Sequence, residues 1–424
     1  MKLFNKFRRF FVFTFVFVFS ISQLLSYFVY PAYAASPWSQ TDWSSGVGAS
    51  TSNQYSSGSN IDATTTAGQV TLGLNVGTGA DGAITVSSTK TIDTDTIATG
   101  RSYADAASFN IATSISAGAT TINVGATPNG LVVGDEILII NLRGTSGDYA
   151  NVGKYETRYI TSIATNTLTL DNALANTYDG TTQKIMVQRV PQYTNVTVSS
   201  GGTLTVGAYN NTTGKGGVLF FRANGTVTVD SGGTISASGK GFAGGAGSAV
   251  QGPGSGGITY NGTGGNGVQW PNTGLSGQGG GGGGVGSGGT GTIGGAGGGG
   301  GDYVGGGGGG GYGTVGTGAT GNSCNGNTTG SSGSGTTGGN GGIANAGGGG
   351  TYGSSNLSTL FLGSGGGGAH RHSSGTSGSG GNGGGILLVS TNSMTVSGSV
   401  SAIAVFVWTR SQAFVSQIMV CSLL

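Results

Sequence analysis

The chain has 424 residues, only 7% of them charged, with a formal net charge of +2, two cysteines and 95 glycines. Lys and Arg this sparse and scattered exclude a binder of phosphate backbones, which needs clustered cations, so no nucleic-acid partner is expected. Cys324 and Cys421, far apart and outside any CxxC or Cys/His pattern, signal neither a disulfide framework nor a zinc site.

Residues 1–34 have the layout of a signal peptide. Lys2, Lys6, Arg8 and Arg9 precede an apolar run, Pro31 breaks it, and Ala32-Tyr33-Ala34 supplies the small residues of a cleavage site between Ala34 and Ala35. The run is also long enough, at roughly 20 residues, to stay as a membrane anchor. This segment is the only membrane attachment the sequence offers, and it places the protein outside the cell or on its surface, where the two thiols could pair. Its removal takes four basic and no acidic residues, leaving a slightly acidic chain.

Residues 35–100 form a Ser/Thr-rich β-region with short alternating runs such as GQVTLGLNV and GAITVSS. Trp38, Trp43 and Tyr55 read as a packed edge of this region; stacking on sugar rings is the functional alternative. Residues 101–190 carry five β-branched runs bounded by Gly, Asn or Asp, which predicts a small antiparallel barrel or sandwich, with ATNTL as a hairpin turn. From 191 to 238 the runs shorten to three to five residues between Gly-Gly and Asn-Gly pairs, the pattern of a stacked short-strand module or β-solenoid.

One unit occurs twice. Val218, Leu219, Phe220, Val227, Val229 and Ile235 align with Ile386, Leu387, Leu388, Met394, Val396 and Val400, apart from a two-residue gap at the turn. Residues 386–402 therefore read as strands that return to the 191–238 module.

Between the copies, residues 239–385 are nearly half glycine and almost free of charge. Composition alone suits a flexible linker or an aggregating segment. The glycines recur in discrete blocks, however: Gly279–Gly284, Gly297–Gly301, Gly305–Gly311, Gly347–Gly350 and Gly365–Gly368. Apolar residues including Tyr303, Tyr312 and Tyr352 punctuate them. Extended threefold glycine helices packed side by side would satisfy this pattern, because only glycine permits such close approach. The three tyrosines are candidate ligand contacts.

The phrases WSQTDWSSG, GDEILIINL, GGVLFFRANGTVTVDSGGTISASGKG and GGGILLVSTNSMTVSGSVSA resemble those of large glycine-rich surface proteins of bacteria. The block GGGGGDYVGGGGGGGYG is similar to the glycine-rich extracellular region of anaplastic lymphoma kinase-type receptors and to glycine-rich phage tail adhesins. The resemblance implies packed polyglycine helices beside a β-sandwich and binding at a cell surface; it fixes a scaffold and no site residues.

Chemistry motifs are sparse. Asp302 in GGGGGDYVG lacks the stacked partners of a calcium repeat, and His370-Arg371-His372 lies in a Gly/Ser loop with no acid nearby. Asp135 and Glu136 alternate onto opposite faces of a strand, which suits a turn better than paired acid/base work. Asn195, Asn224 and Asn261 head Asn-x-Ser/Thr triplets that composition explains. Residues 403–424 lose glycine altogether and read as a frameshifted or truncated end.

The reading is a mostly β protein: short-strand sandwich or solenoid modules with a glycine-rich, polyglycine-helix insertion. Its expected role is an exported structural or adhesive surface protein that is not an enzyme and has no cofactor or metal. Its partner would be an unidentified surface ligand, a polysaccharide or a protein. The alternatives are a carbohydrate-active β-solenoid enzyme, which needs clustered carboxylates where the matched units offer only Asp230, and a receptor- or ligand-binding module.

Overall fold

The computed structural model describes residues 53–54, 61–66, 69–145, 147–246, 255–263, 320–323, 326–329, 358–368, 379–402, 404–411 and 414–418. Every regular element among them is a strand. The unit considered below spans Gln54–Leu424.

The frame is a parallel β-solenoid. The Val218–Val229 strand lies parallel to Ile386–Val396, and Val218 faces Ile386, Leu219 faces Leu387, Phe220 faces Leu388, Val227 faces Met394 and Val229 faces Val396. Ile235 faces Val400 on the neighbouring sheet. The aligned copies of the sequence are thus stacked rungs, with all six matched pairs in register. Val196–Val198 and Ile84–Val86 continue the same sheet in parallel, and Thr203–Thr205 and Thr89–Thr91 continue the other. Four rungs result.

In the full rungs the chain visits three faces. In the third rung these are 218–223, 226–229 after a bend at Asn224–Gly225, and Thr234–Ser236. Alternation divides the first face cleanly: Leu219 and Phe221 point into the solenoid core with Val196, Val198, Val227 and Leu387, while Val218 and Phe220 point outward. Each fully buried side chain of this kind contributes about 1.5–3 kcal/mol. The turns between the second and third faces stack glycine on glycine. A Cβ on Gly233 would lie 2.4 Å from the Val198 carbonyl oxygen, and one on Gly398 2.2 Å from that of Gly233.

All long excursions leave after the third face and return before the first. Residues 92–191 separate the first two rungs, 206–217 the next two, and 237–385 the last two. The ends of the second and third meet: Gly217 N–H donates to Gly207 at 2.8 Å, and Gly385 N–H to Ala237 at 2.6 Å. After the fourth rung only residues 402 and 403 intervene before Ala404–Ser411 adds a further parallel strand, which Phe414–Ile418 then follows antiparallel.

The first excursion builds a six-stranded antiparallel sheet. In spatial order its strands are Ser108–Ile111, Lys184–Arg189, Glu136–Arg143, Tyr155–Ala164, Thr167–Leu170 and Thr121–Asn123. Ile137 and Ile139 face one core with Ile122, Leu168 and Ile185. Leu138, Ile140 and Leu142 face another, shared with Phe220, Leu388, Tyr209, Phe242 and Leu362. That second core joins the sheet, the 206–217 loop and the glycine-rich threads to the first face of the solenoid.

Four segments of the glycine-rich region, 241–246, 255–257, 363–368 and 380–385, hydrogen-bond to one another without forming strands. The bonds recur every third residue. Phe242 and Gly245 donate to Gly363 and Gly366; Gly383 and Gly380 donate to Phe242 and Gly245; Gly363 and Gly366 donate to Gly384 and Gly381. The 241–246 segment contacts three neighbours, where a strand in a sheet has two, and the spacing is that of an extended threefold chain. A Cβ on Gly383 would stand 1.9 Å from the Gly363 carbonyl oxygen, and one on Gly244 2.0 Å from that of Gly380. Of the glycine blocks named above, only Gly365–Gly368 is described; the other four lie outside the described residues.

Candidate functional site

Where the antiparallel module meets the solenoid, a polar network is sealed from solvent. Glu136 opens its strand and accepts from Arg222 of the solenoid, Nε to Oε2 at 2.7 Å and Nη2 to Oε1 at 2.6 Å, and from Gln192 Nε2 at 3.0 Å. Arg189 Nε donates to Asp135 at 2.7 Å and Nη2 to Asp81 at 2.8 Å. Tyr193 O–H donates to Asp105 at 2.7 Å. Burial, reinforced by the Asp105 charge, pushes the Tyr193 phenol well up, so it remains a donor. The adjacent acids Asp135 and Glu136 thus serve two different arginines, and every carboxylate here is paired. This arrangement is a clasp that fixes module to rungs, with nothing left over for a ligand.

A second constellation lies on the open rim of the module. Thr182 Oγ1 lies 2.9 Å from Asp148 Oδ2 and 2.9 Å from Asp179 Oδ2, so these oxygens are no more than about 6 Å apart. Ser114 Oγ donates to Asp179 at 2.6 Å, and Thr181 adds its hydroxyl and N–H. These hydroxyls, Ser114 first, hold the Asp179 carboxyl far below the usual carboxylate range. Beside Asp148, the half-buried Tyr149 ring stands edge-on to Tyr260 at 6.1 Å, and Tyr260 stands edge-on to Phe361 at 5.1 Å. The rim therefore combines an ionised acid, hydroxyls and the half-buried Tyr149 ring, which packs on the buried Tyr260.

On the same rim Arg143 ends its strand and reaches across to two other segments. Its Nε donates to Thr259 O at 3.0 Å, Nη2 to Gly262 O at 2.9 Å and Nη1 to Asn211 Oδ1 at 2.5 Å. Burial lowers its pKa. Tyr209 packs edge-on against Phe242 at 5.1 Å, and burial raises its phenol well above the ordinary range.

Of the residues singled out in the sequence, Tyr303, Tyr312 and Tyr352 lie outside the described residues, as do Ala34, Ala35, Trp38, Trp43, Tyr55, Asp302, His370, Arg371, His372, Cys324 and Cys421. Asn195 accepts from Thr226 N–H through its side chain at 2.8 Å, and Asn224 donates to Thr78 O at 2.9 Å, both at the bend between faces. Asp148, Asp179, Arg143 and Tyr149 were not found from the sequence. Their partners lie largely in other segments; Asp179 alone also draws on its own turn, where Thr181 and Thr182 follow it in TYDGTT, a weak local signal. No group of three or more metal-ligating acids, histidines or cysteines occurs among the described residues.

No family model and no curated protein matches the chain. Among solved structures it is similar to phage tailspikes. The tailspike gp49 of Pseudomonas phage LKA1 shares 24% identity over 31% of this chain and 21% of its own, with a TM-score of 0.18. The tailspike gp61 of Pseudomonas phage phi297 shares 18% over 30% and 19%, with a TM-score of 0.18. Gp54 of Acinetobacter baumannii bacteriophage AP22, solved in complex with a capsular saccharide of A. baumannii, shares 13% over 31% and 23%, with a TM-score of 0.19. The chain spans about a fifth of the length of these proteins.

One expectation is corrected here. The chain was expected not to be an enzyme, yet its structural neighbours are tailspikes, one of them holding a saccharide, and that reading is not carried forward. The sequence argument sought clustered carboxylates on the strand units alone, whereas folding also brings Asp148 and Asp179 together from positions 31 apart.

Proposed function

We propose that this protein is an exported, surface-located polysaccharide-recognition protein in which a β-solenoid carries the binding rim on its excursions. The observation that carries the reading is the rim itself, where the Asp148–Thr182–Asp179 cluster adjoins the half-buried Tyr149 ring, which the buried Tyr260 holds edge-on from behind. Sugars are bound by this mixture, in which aromatic faces cover apolar ring surfaces and fixed acceptors hold hydroxyls. The buried clasp supports it by keeping module and rungs in one geometry. The saccharide in the AP22 structure agrees with the choice of ligand class.

The test is a glycan array probed with the secreted chain and with Tyr149→Ala. Binding of one or more polysaccharides, weakened about tenfold or more in the variant, is expected. Failure to bind any polysaccharide overturns the proposal.

The carboxylate pair favours a second reading, glycoside cleavage at the same rim. Retaining glycosidases hold their two carboxyl groups about 5–5.5 Å apart. Asp179, kept ionised, suits the nucleophile or base, with Asp148 as the second carboxylate of the pair. Release of reducing ends from a bound polysaccharide, abolished in Asp179→Asn with binding retained, is the expected result; binding without any cleavage sinks this reading alone.

A further inference from the structure

Three cations, Arg143, Lys184 and Lys215, lie on adjoining segments of the rim without an ion pair among the described residues. Arg143 and Lys184 face each other across neighbouring strands. The Lys184 side chain lies against Gly214, whose Cβ position is 3.1 Å from its Cδ. Lys215, the next residue, reaches Ser108 O at 3.3 Å, and the same loop supplies Asn211 to Arg143. All three are half-buried. None enters an ion pair among the described residues, where Arg101, Arg158, Arg189 and Arg222 all do. The nearby acids Asp148 and Asp179 are engaged by hydroxyls instead.

Arg143 is the informative member. A half-buried guanidinium held only by carbonyl and amide oxygens retains its charge at a cost, which an anion would offset. Behind it the Tyr209 hydroxyl is buried and has no hydrogen-bond partner among the described residues, and the same holds for the side-chain oxygen of Asn110, 2.7 Å from the Gly214 Cβ position. Native folds rarely leave such groups unpaired, and each one asks for an explanation. Tyr209 lies within electrostatic reach of Arg143. An anionic group bound at Arg143 would satisfy the guanidinium and bring an acceptor toward the phenol.

We infer that the rim binds an acidic polysaccharide, with the carboxylate of a uronate unit placed at Arg143, Lys184 and Lys215. This inference rests on the polysaccharide-recognition reading and narrows its ligand class. Phosphate backbones fit less well, since three cations confined to one loop junction are too few to track a polyanionic strand.

The experiment measures binding of the secreted chain to polygalacturonate and to neutral dextran by affinity electrophoresis at low and high salt. Two variants accompany it, the double substitution Lys184→Gln with Lys215→Gln, and Tyr209→Phe, each checked for an unchanged thermal transition. Retardation by polygalacturonate, at least about tenfold stronger than by dextran, weakened by salt and by the double variant, is expected. A weaker interaction in Tyr209→Phe supports the inference further, since a purely structural hydroxyl without partners would leave binding unchanged. Equal retardation by both polymers, or polygalacturonate binding indifferent to the lysine substitutions, overturns the inference and leaves saccharide recognition standing. Absence of binding to every polysaccharide, including those of the array, overturns both.

Discussion

Arg222 is 1% exposed and Glu136 likewise 1%, so removing one leaves the other as a buried charge without its partner. Arg222→Met is expected to destabilise the unit by about 3–5 kcal/mol, read by chemical denaturation, whereas the double change Arg222→Met with Glu136→Gln should recover part of that loss. Asp93 presents the opposite case. Burial raises its pKa, against the pull of the Gly207 N–H and Lys240. A carboxyl with a raised folded value contributes stability below its unfolded pKa and loses it as pH rises through the folded value. Asp93→Asn should therefore flatten the dependence of the thermal midpoint on pH between the acid range and neutrality; an unaltered dependence would refute this account. None of these partners was legible in the sequence. Arg222 and Glu136 are 86 positions apart, and strand alternation alone assigns Glu136 a face without naming what lies there.

At the scale of elements, the strand-turn-strand repeat was legible down to single residues, because apolar alternation on a stacked face leaves only one register that keeps Leu219 and Phe221 inside. The ATNTL turn was legible too: Ala164 pairs with Thr167, and Thr165 takes a φ of 55° despite being β-branched. What the glycines do was only half legible. Composition allows both a slack tether and a packed thread, and the difference lies in which carbonyl occupies the place of the missing Cβ. Gly383→Ala puts a methyl 1.9 Å from a carbonyl oxygen, while nothing lies within 4 Å of the corresponding position on Gly381. The first substitution is expected to cost several times what the second does, with Gly381→Ala within about 0.5 kcal/mol of the parent. Equal small effects in thermal melts would mean that the threads do not pack as described. Hydrogen exchange offers a second check, with the Gly363 and Gly366 amides expected to exchange slowly.

For the whole molecule, the rungs and the antiparallel module share one apolar core and one buried polar clasp, so they are expected to unfold in a single transition, followed by far-UV circular dichroism and tyrosine fluorescence together. Two separated transitions would show that the clasp does not couple them. The rim was illegible in the sequence because it is a product of this assembly: its acids come from the module, its rings from the module and the glycine-rich threads, and its cations from the module and a short loop between rungs.

The excursions also bear on how such a chain can change. The last two begin and end at hydrogen-bonded neighbours on one corner of the stack, one holding the residues from 206 to 217 and the other those from 237 to 385. Closing a longer loop costs only about 0.6 kcal/mol per doubling. The stack therefore behaves as a spindle with a single splice point per turn, where a passenger of another length or composition can be exchanged while the register of the turns above and below is untouched. Whole passengers can then be replaced on a core that need not be redesigned each time.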